Sequence, residues 1–103
     1  MTKLYSMNNP AMRTEIEEGY TSVEELIAAR RPARPLYVLW PEKIAATAKA
    51  FVQTFPGETM YAVKTNPDEN VLRTLYQAGV RSFDAASIEE VRLVRKNAKK
   101  ARI

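Results

Sequence analysis

From Leu36 onward the sequence switches repeatedly between two periodicities, and this alternation restricts the fold more than any other feature. Leu36-Tyr37-Val38-Leu39-Trp40 is rich in aromatic and β-branched residues and reads as a strand. Pro41 suits the first position of a helix, where a fixed φ helps and the missing N–H is not needed. Ile44, Ala45, Ala48, Phe51, Val52 and Phe55 then recur at helical spacing until Pro56-Gly57 ends the run. Thr59 to Val63 predicts a second strand, and Asn66-Pro67 breaks the chain. Val71, Leu72, Leu75, Tyr76 and Ala78 form the face of a second helix, with Gly79 where a left-handed C-terminal cap is wanted. Val80 to Ala85 predicts a third strand. Ser87-Ile88-Glu89-Glu90 then has the form of a capping box, and Ile88, Val91, Val94 and Ala98 share one helical face after it. Strands and helices alternating through short connections imply parallel strands, hence an α/β fold: a doubly wound sheet or the start of a barrel.

Residues 1–35 read as an N-terminal extension with a short helix. Residues 1–20 show no clear period apart from the charged stretch Arg13 to Glu18. Thr21-Ser22-Val23-Glu24 has the shape of a capping box, and Val23, Leu26 and Ile27 fall on one face behind it. Pro32 and Pro35 stop that helix, because proline lacks an amide donor and clashes with the preceding turn. Residues 36–103 make up the α/β part. Its three expected strands leave a bare sheet edge, and a closed (β/α)8 barrel takes about 250 residues. The chain is therefore expected to be a truncated piece of a larger protein.

Composition excludes several classes of function. With 103 residues, 46% of them hydrophobic, the chain suits one soluble globular unit rather than a disordered segment. No run approaches the ~20 apolar residues that span a bilayer. Met1 to Pro10 lacks the apolar stretch of a secretory signal, so a cytoplasmic protein with no membrane partner is expected. There is no cysteine and no histidine. That removes disulfides, thiolate chemistry and a Ser-His-Asp triad within this chain, and no metal site is expected. The net charge of +4 invites a nucleic-acid reading. However, six basic residues (Arg92, Arg95, Lys96, Lys99, Lys100 and Arg102) fall in one acid-free stretch with no interleaved aromatics. Such a tail suits the C-terminal end of a helix dipole better than a base-stacking platform, so no nucleic acid is expected.

Lys64 is the first candidate for chemistry. It follows the strand Thr59 to Val63, and alternation would place Met60, Ala62 and Lys64 on one face. The C-terminal ends of parallel strands are where α/β folds keep their sites. A lysine there, partly desolvated, could attack a carbonyl carbon to form a Schiff base. From position alone, a solvated lysine at a strand end is the plainer reading. Asp84 ends the next strand with Ser82 on its face. Adjacent strands lie about 4.8 Å apart, so its carboxylate would come within reach of Lys64 or of a ligand held there. It could also serve only as a turn former. Glu90 is first of all the partner of Ser87 in a helix cap.

Two stretches carry a family resemblance. Tyr61-Ala62-Val63-Lys64-Thr65-Asn66-Pro67 and, about twenty residues on, Phe83-Asp84-Ala85-Ala86-Ser87-Ile88-Glu89-Glu90 resemble the fold-type III pyridoxal-phosphate decarboxylases acting on ornithine, lysine, arginine or diaminopimelate. The resemblance covers Leu36 to about Val94. It implies the first βα units of a pyridoxal-phosphate-binding (β/α)8 barrel, with pyridoxal 5'-phosphate as cofactor and an amino acid such as ornithine or lysine as substrate. It assigns the covalent hold on the cofactor, and catalysis, to Lys64. It places Asp84 beside the cofactor and Glu90 behind it in support. Related racemases carry a Tyr-Gly after the lysine motif where this chain has Thr65-Asn66-Pro67-Asp68. Ala86-Ser87-Ile88-Glu89-Glu90 is nearer the ornithine branch than the diaminopimelate branch. The resemblance further implies a homodimer in the full-length protein and a role in polyamine biosynthesis. The glycine-rich phosphate loop, the histidine stacked on the ring and the acid on the ring nitrogen lie further along in such enzymes. No turnover is therefore expected from the 103 residues alone. Two other readings are a noncatalytic barrel relative that binds a protein partner through its strand edge, and a basic nucleic-acid module.

Overall fold

The computed structural model describes residues 3–5 and 19–103, which fall into two units, residues 1–42 and 43–103. The charged stretch Arg13 to Glu18 lies outside the described residues. In the first unit, β1 (Lys3–Tyr5) pairs antiparallel with β2 (Tyr37–Leu39), Lys3 opposite Leu39 and Tyr5 opposite Tyr37. This departs from the sequence reading in two ways. Residues 3–5 form a strand where no element was expected, and β2 takes that partner rather than lining up with the later strands. Three residues carry almost no periodic signal, and their partner lies more than thirty positions away along the chain, so local pattern could not disclose the pair.

Helix α1 (Val23–Arg30) begins one residue later than the expected capping box. Ser22, not Thr21, is the N-cap, and its hydroxyl accepts the Glu25 N–H at 3.1 Å. The Glu25 carboxylate reaches back to accept from the Thr21 amide at 2.8 Å and its hydroxyl at 2.6 Å. These bonds hold the Glu25 carboxyl below its usual pKa. The pattern Thr21…Glu24 and the pattern Ser22…Glu25 fit the motif equally well in sequence, and the structure selects the second. Of the expected face only Leu26 is buried, while Val23 and Ile27 are exposed. Arg31 closes the helix in the left-handed region at φ 41°, just ahead of Pro32.

Helix α2 (Pro41–Thr54) starts at the proline expected to open it and buries Ala48. Phe51 and Phe55 stack on its surface with centroids 5.6 Å apart. In the second unit, β3 (Met60–Ala62) and β4 (Ser82–Asp84) run parallel, Met60 beside Ser82 and Ala62 beside Asp84. Helix α3 (Glu69–Gln77) crosses between them, and α4 (Ile88–Asn97) follows β4. After α4 the chain returns alongside β4. Arg102 bridges Ser82 in parallel, donating to the Arg81 carbonyl at 2.8 Å and accepting from the Phe83 amide at 3.0 Å. This is the strand–helix–strand alternation expected from the sequence, and the second unit is a small α/β fragment.

Its core consists of Val63, Leu72, Phe83 and Val94, all fully buried, with Val71, Leu75 and Val80 around them. Burying each such side chain contributes about 1.5–3 kcal/mol. The Tyr61 ring meets Phe83 edge-on at 6.2 Å. Helix α3 ends in a Schellman motif: Val80 N–H donates to the Leu75 carbonyl at 3.0 Å and Gly79 N–H to that of Tyr76 at 3.2 Å. Gly79 takes φ 116°, as its expected capping role requires. A polar clasp joins α3 and α4. Arg73 donates to Asn97 Oδ1 at 2.8 Å and to Asn70 Oδ1 at 2.7 Å, while Lys96 pairs with Glu69 at 2.9 Å. At the start of β3, Glu58 accepts from the Ser82 hydroxyl and pairs with Arg102, tying the beginnings of three successive chain segments together.

Candidate active site

The C-terminal ends of β3 and β4 meet the starts of α3 and α4, and the sequence-picked residues gather there. Strand β3 stops at Ala62, one residue earlier than its sequence suggested, and Val63–Thr65 form a single 3-10 turn. Lys64 therefore sits in the middle of a turn rather than on a continuing strand, so alternation no longer dictates its direction. Val63 plugs the core beneath it. Across the turn, the Tyr61 hydroxyl donates to the Asn66 carbonyl at 3.0 Å. Asn66 Oδ1 accepts from the Asp68 amide at 3.1 Å, and Asp68 caps α3 by accepting from the Asn70 and Val71 amides at 2.8 and 3.3 Å. Burial pushes the Tyr61 phenol above its usual pKa, so it remains a donor through neutral and mildly alkaline pH.

The Lys64 side chain is exposed and makes no ion pair or hydrogen bond with the described residues. Asp84 closes β4 one strand away, in register with Ala62, and is also exposed. Among the described residues no ion pair joins the two. Glu90 lies in the first turn of α4, where its carboxylate accepts from the Ala86 amide at 2.5 Å and its own amide donates to the Ser87 hydroxyl at 3.2 Å. Its visible work is thus the helix cap read from the sequence.

These residues offer an unencumbered primary amine on a pinned turn, with a carboxylate on the neighbouring strand. The sequence reading expected a partly desolvated lysine with the Asp84 carboxylate within reach; the structure instead leaves Lys64 exposed and unpaired with Asp84, because β3 ends at Ala62 and Lys64 falls in the 3-10 turn beyond it. At the helix starts, Asp68 accepts the Asn70 and Val71 amides of α3, and the Ser87 hydroxyl accepts the Glu90 amide of α4. The basic tail is partly engaged: Arg95 donates to the carbonyls of Lys99 and Ala101 at 2.7 and 3.0 Å, Lys96 pairs with Glu69, and Arg102 with Glu58. Two features escaped the sequence reading. Asp68 could have been identified as a cap from its residue type just ahead of a helical run. The Tyr61 hydroxyl contact left no such signal, because it depends on the turn.

Among the described residues no helix is long and apolar enough to cross a membrane, and no cluster of acidic residues could hold a metal ion. No curated protein and no solved structure gives a significant match. The family model described as pyridoxal-dependent decarboxylase, pyridoxal binding domain, matches residues 41–103. That span covers more than half of the chain and takes in Lys64, the turn that carries it, Asp84 and Glu90. The chain belongs to the pyridoxal-dependent decarboxylases, through their pyridoxal-binding barrel domain.

Proposed function

We propose that this chain carries the cofactor-holding lysine of an ornithine-type decarboxylase, a cytoplasmic homodimer when full-length, which removes carbon dioxide from a basic amino acid to give a diamine for polyamine biosynthesis. The observation that carries this reading is the placement of Lys64. It stands free on a pinned turn at the end of β3, one strand from Asp84, inside the matched residues. In this reading residues 1–35 are an extension and residues 36–103 the opening of the barrel. The ornithine preference rests on the stretch Ala86-Ser87-Ile88-Glu89-Glu90 and on Thr65-Asn66-Pro67-Asp68 in place of a Tyr-Gly sequence.

Pyridoxal phosphate, when bound, supplies an electron sink for the pair left behind as carbon dioxide departs. Lys64 Nζ would be the group that holds the cofactor, through its aldehyde. The same amine, when not so engaged, could carry a proton to or from a substrate held there. Asp84, on the neighbouring strand, would add a carboxylate to the edge of the same site. Glu90 keeps α4 capped, which fixes the loop that follows Asp84.

The test is spectroscopic. Pyridoxal phosphate added to the full-length protein should give a visible absorbance band that Lys64→Ala abolishes, and a band that survives in Lys64→Ala rejects the assignment. The 103 residues by themselves are expected to release no carbon dioxide from ornithine, lysine, arginine or diaminopimelate. A coding frame that runs past Ile103 into a glycine-rich loop is the expectation for the ornithine-type enzyme.

A further inference from the structure

The Tyr61 side chain does two separable things. Its ring packs edge-on against Phe83 at 6.2 Å, and a phenylalanine would do the same. Its hydroxyl has a different task, reaching past the end of β3 to the Asn66 carbonyl at 3.0 Å. That bond spans the turn Val63–Thr65 with Lys64 at its centre. On one side of the lysine, Val63 is buried in the core. On the other, Asn66 Oδ1 holds the Asp68 amide at 3.1 Å, and Asp68 in turn caps α3. The backbone of Lys64 is thus restrained from before, across and after. Its side chain, by contrast, is exposed and uncommitted. A long flexible arm on a fixed base can place its amine repeatedly at one spot, and a loose base would spread the same arm over many.

We infer that the Tyr61 hydroxyl is a positioning group for Lys64: it holds the turn so that the amine meets an aldehyde at the end of β3, while touching neither amine nor aldehyde. The inference rests on the reading of Lys64 as the lysine that holds pyridoxal phosphate. A single net hydrogen bond changes an equilibrium by roughly five-fold, so that is the expected size of the effect.

The experiment compares lysines within one molecule. The chain is incubated with pyridoxal phosphate, so that each reacting amine adds to the aldehyde carbon with loss of water. Borohydride then delivers hydride to that carbon and fixes the adduct as a secondary amine. Peptide mass spectrometry reads the labelling of Lys64 against Lys49 and Lys99, which lie outside the turn. In the wild type Lys64 is expected to lead. Tyr61→Phe keeps the ring and loses the donor, and should lower the Lys64:Lys49 ratio about five-fold with Lys49:Lys99 unchanged. Para-aminophenylalanine at position 61 restores an N–H donor on the same ring and should recover the ratio. Should Tyr61→Phe fail to fold, para-methoxyphenylalanine, which fills the site without donating, takes its place in the same comparison. Equal labelling of Lys64 and Lys49 in the wild type would overturn the reading of Lys64 itself. A wild-type preference that persists without the donor would overturn only the role given to Tyr61.

Discussion

Gly79 takes φ 116° after α3, a conformation that side chains with a Cβ rarely adopt. A Cβ built there meets no atom within 4 Å, so the cost of Gly79→Ala is conformational rather than steric. It should be about 1–2 kcal/mol, seen as a lower urea midpoint with an unchanged slope. Lys64→Ala should behave in the opposite way. The side chain is exposed and unpaired, so stability should move by less than about 0.5 kcal/mol while the cofactor band disappears. Stability and chemistry therefore separate cleanly at this position, as thermal melts recorded beside the absorbance assay would show. The positions of the candidate residues were legible, since Lys64, Asp84 and Glu90 all stand where strands end and helices begin. The turn around Lys64 was not, because a 3-10 turn closed by a hydrogen bond from Tyr61 to Asn66 has no repeating pattern to reveal it.

The helices depend on their ends. Ser87 accepts the Glu90 amide at 3.2 Å, and Ser87→Ala should destabilise the second unit by about 1 kcal/mol, measured by chemical denaturation. Between α3 and α4 the charged pair is pH-sensitive. The hydrogen bond from Lys96, more than any other influence, holds the Glu69 carboxyl below its usual pKa. A depressed carboxyl adds stability above its unfolded-state pKa and loses it as pH falls through the folded-state value. The pair is half exposed, so the effect should be modest, about 0.2–1 kcal/mol. In Glu69→Gln, the part of the stability lost on acidification through and below about pH 4.5 should shrink by that amount in pH-dependent denaturation curves. A curve identical to wild type would mean the pair contributes nothing. Helical elements were readable because caps and apolar stripes are local: Pro41, Gly79 and Ser87 each mark an end where the structure has one. The weak points were also physical. At α1 two overlapping capping patterns competed, and at β1 the deciding partner, β2, lay far along the chain.

The second unit gathers its apolar side chains around Phe83, which touches Tyr61 and is fully buried. Phe83→Ala should cost about 3–5 kcal/mol. Small domains hold only about 5 kcal/mol or a little more in reserve, so this one change should abolish the cooperative thermal transition seen by circular dichroism. The return of the chain at Arg102 has an effect beyond pairing. Because Phe83 and Arg81 exchange hydrogen bonds with Arg102, β4 is flanked on both sides. Deleting residues 101–103 would turn it into a rim strand whose unsatisfied amides and carbonyls can recruit a foreign strand. Light scattering and sedimentation should then report more self-association than the intact chain shows.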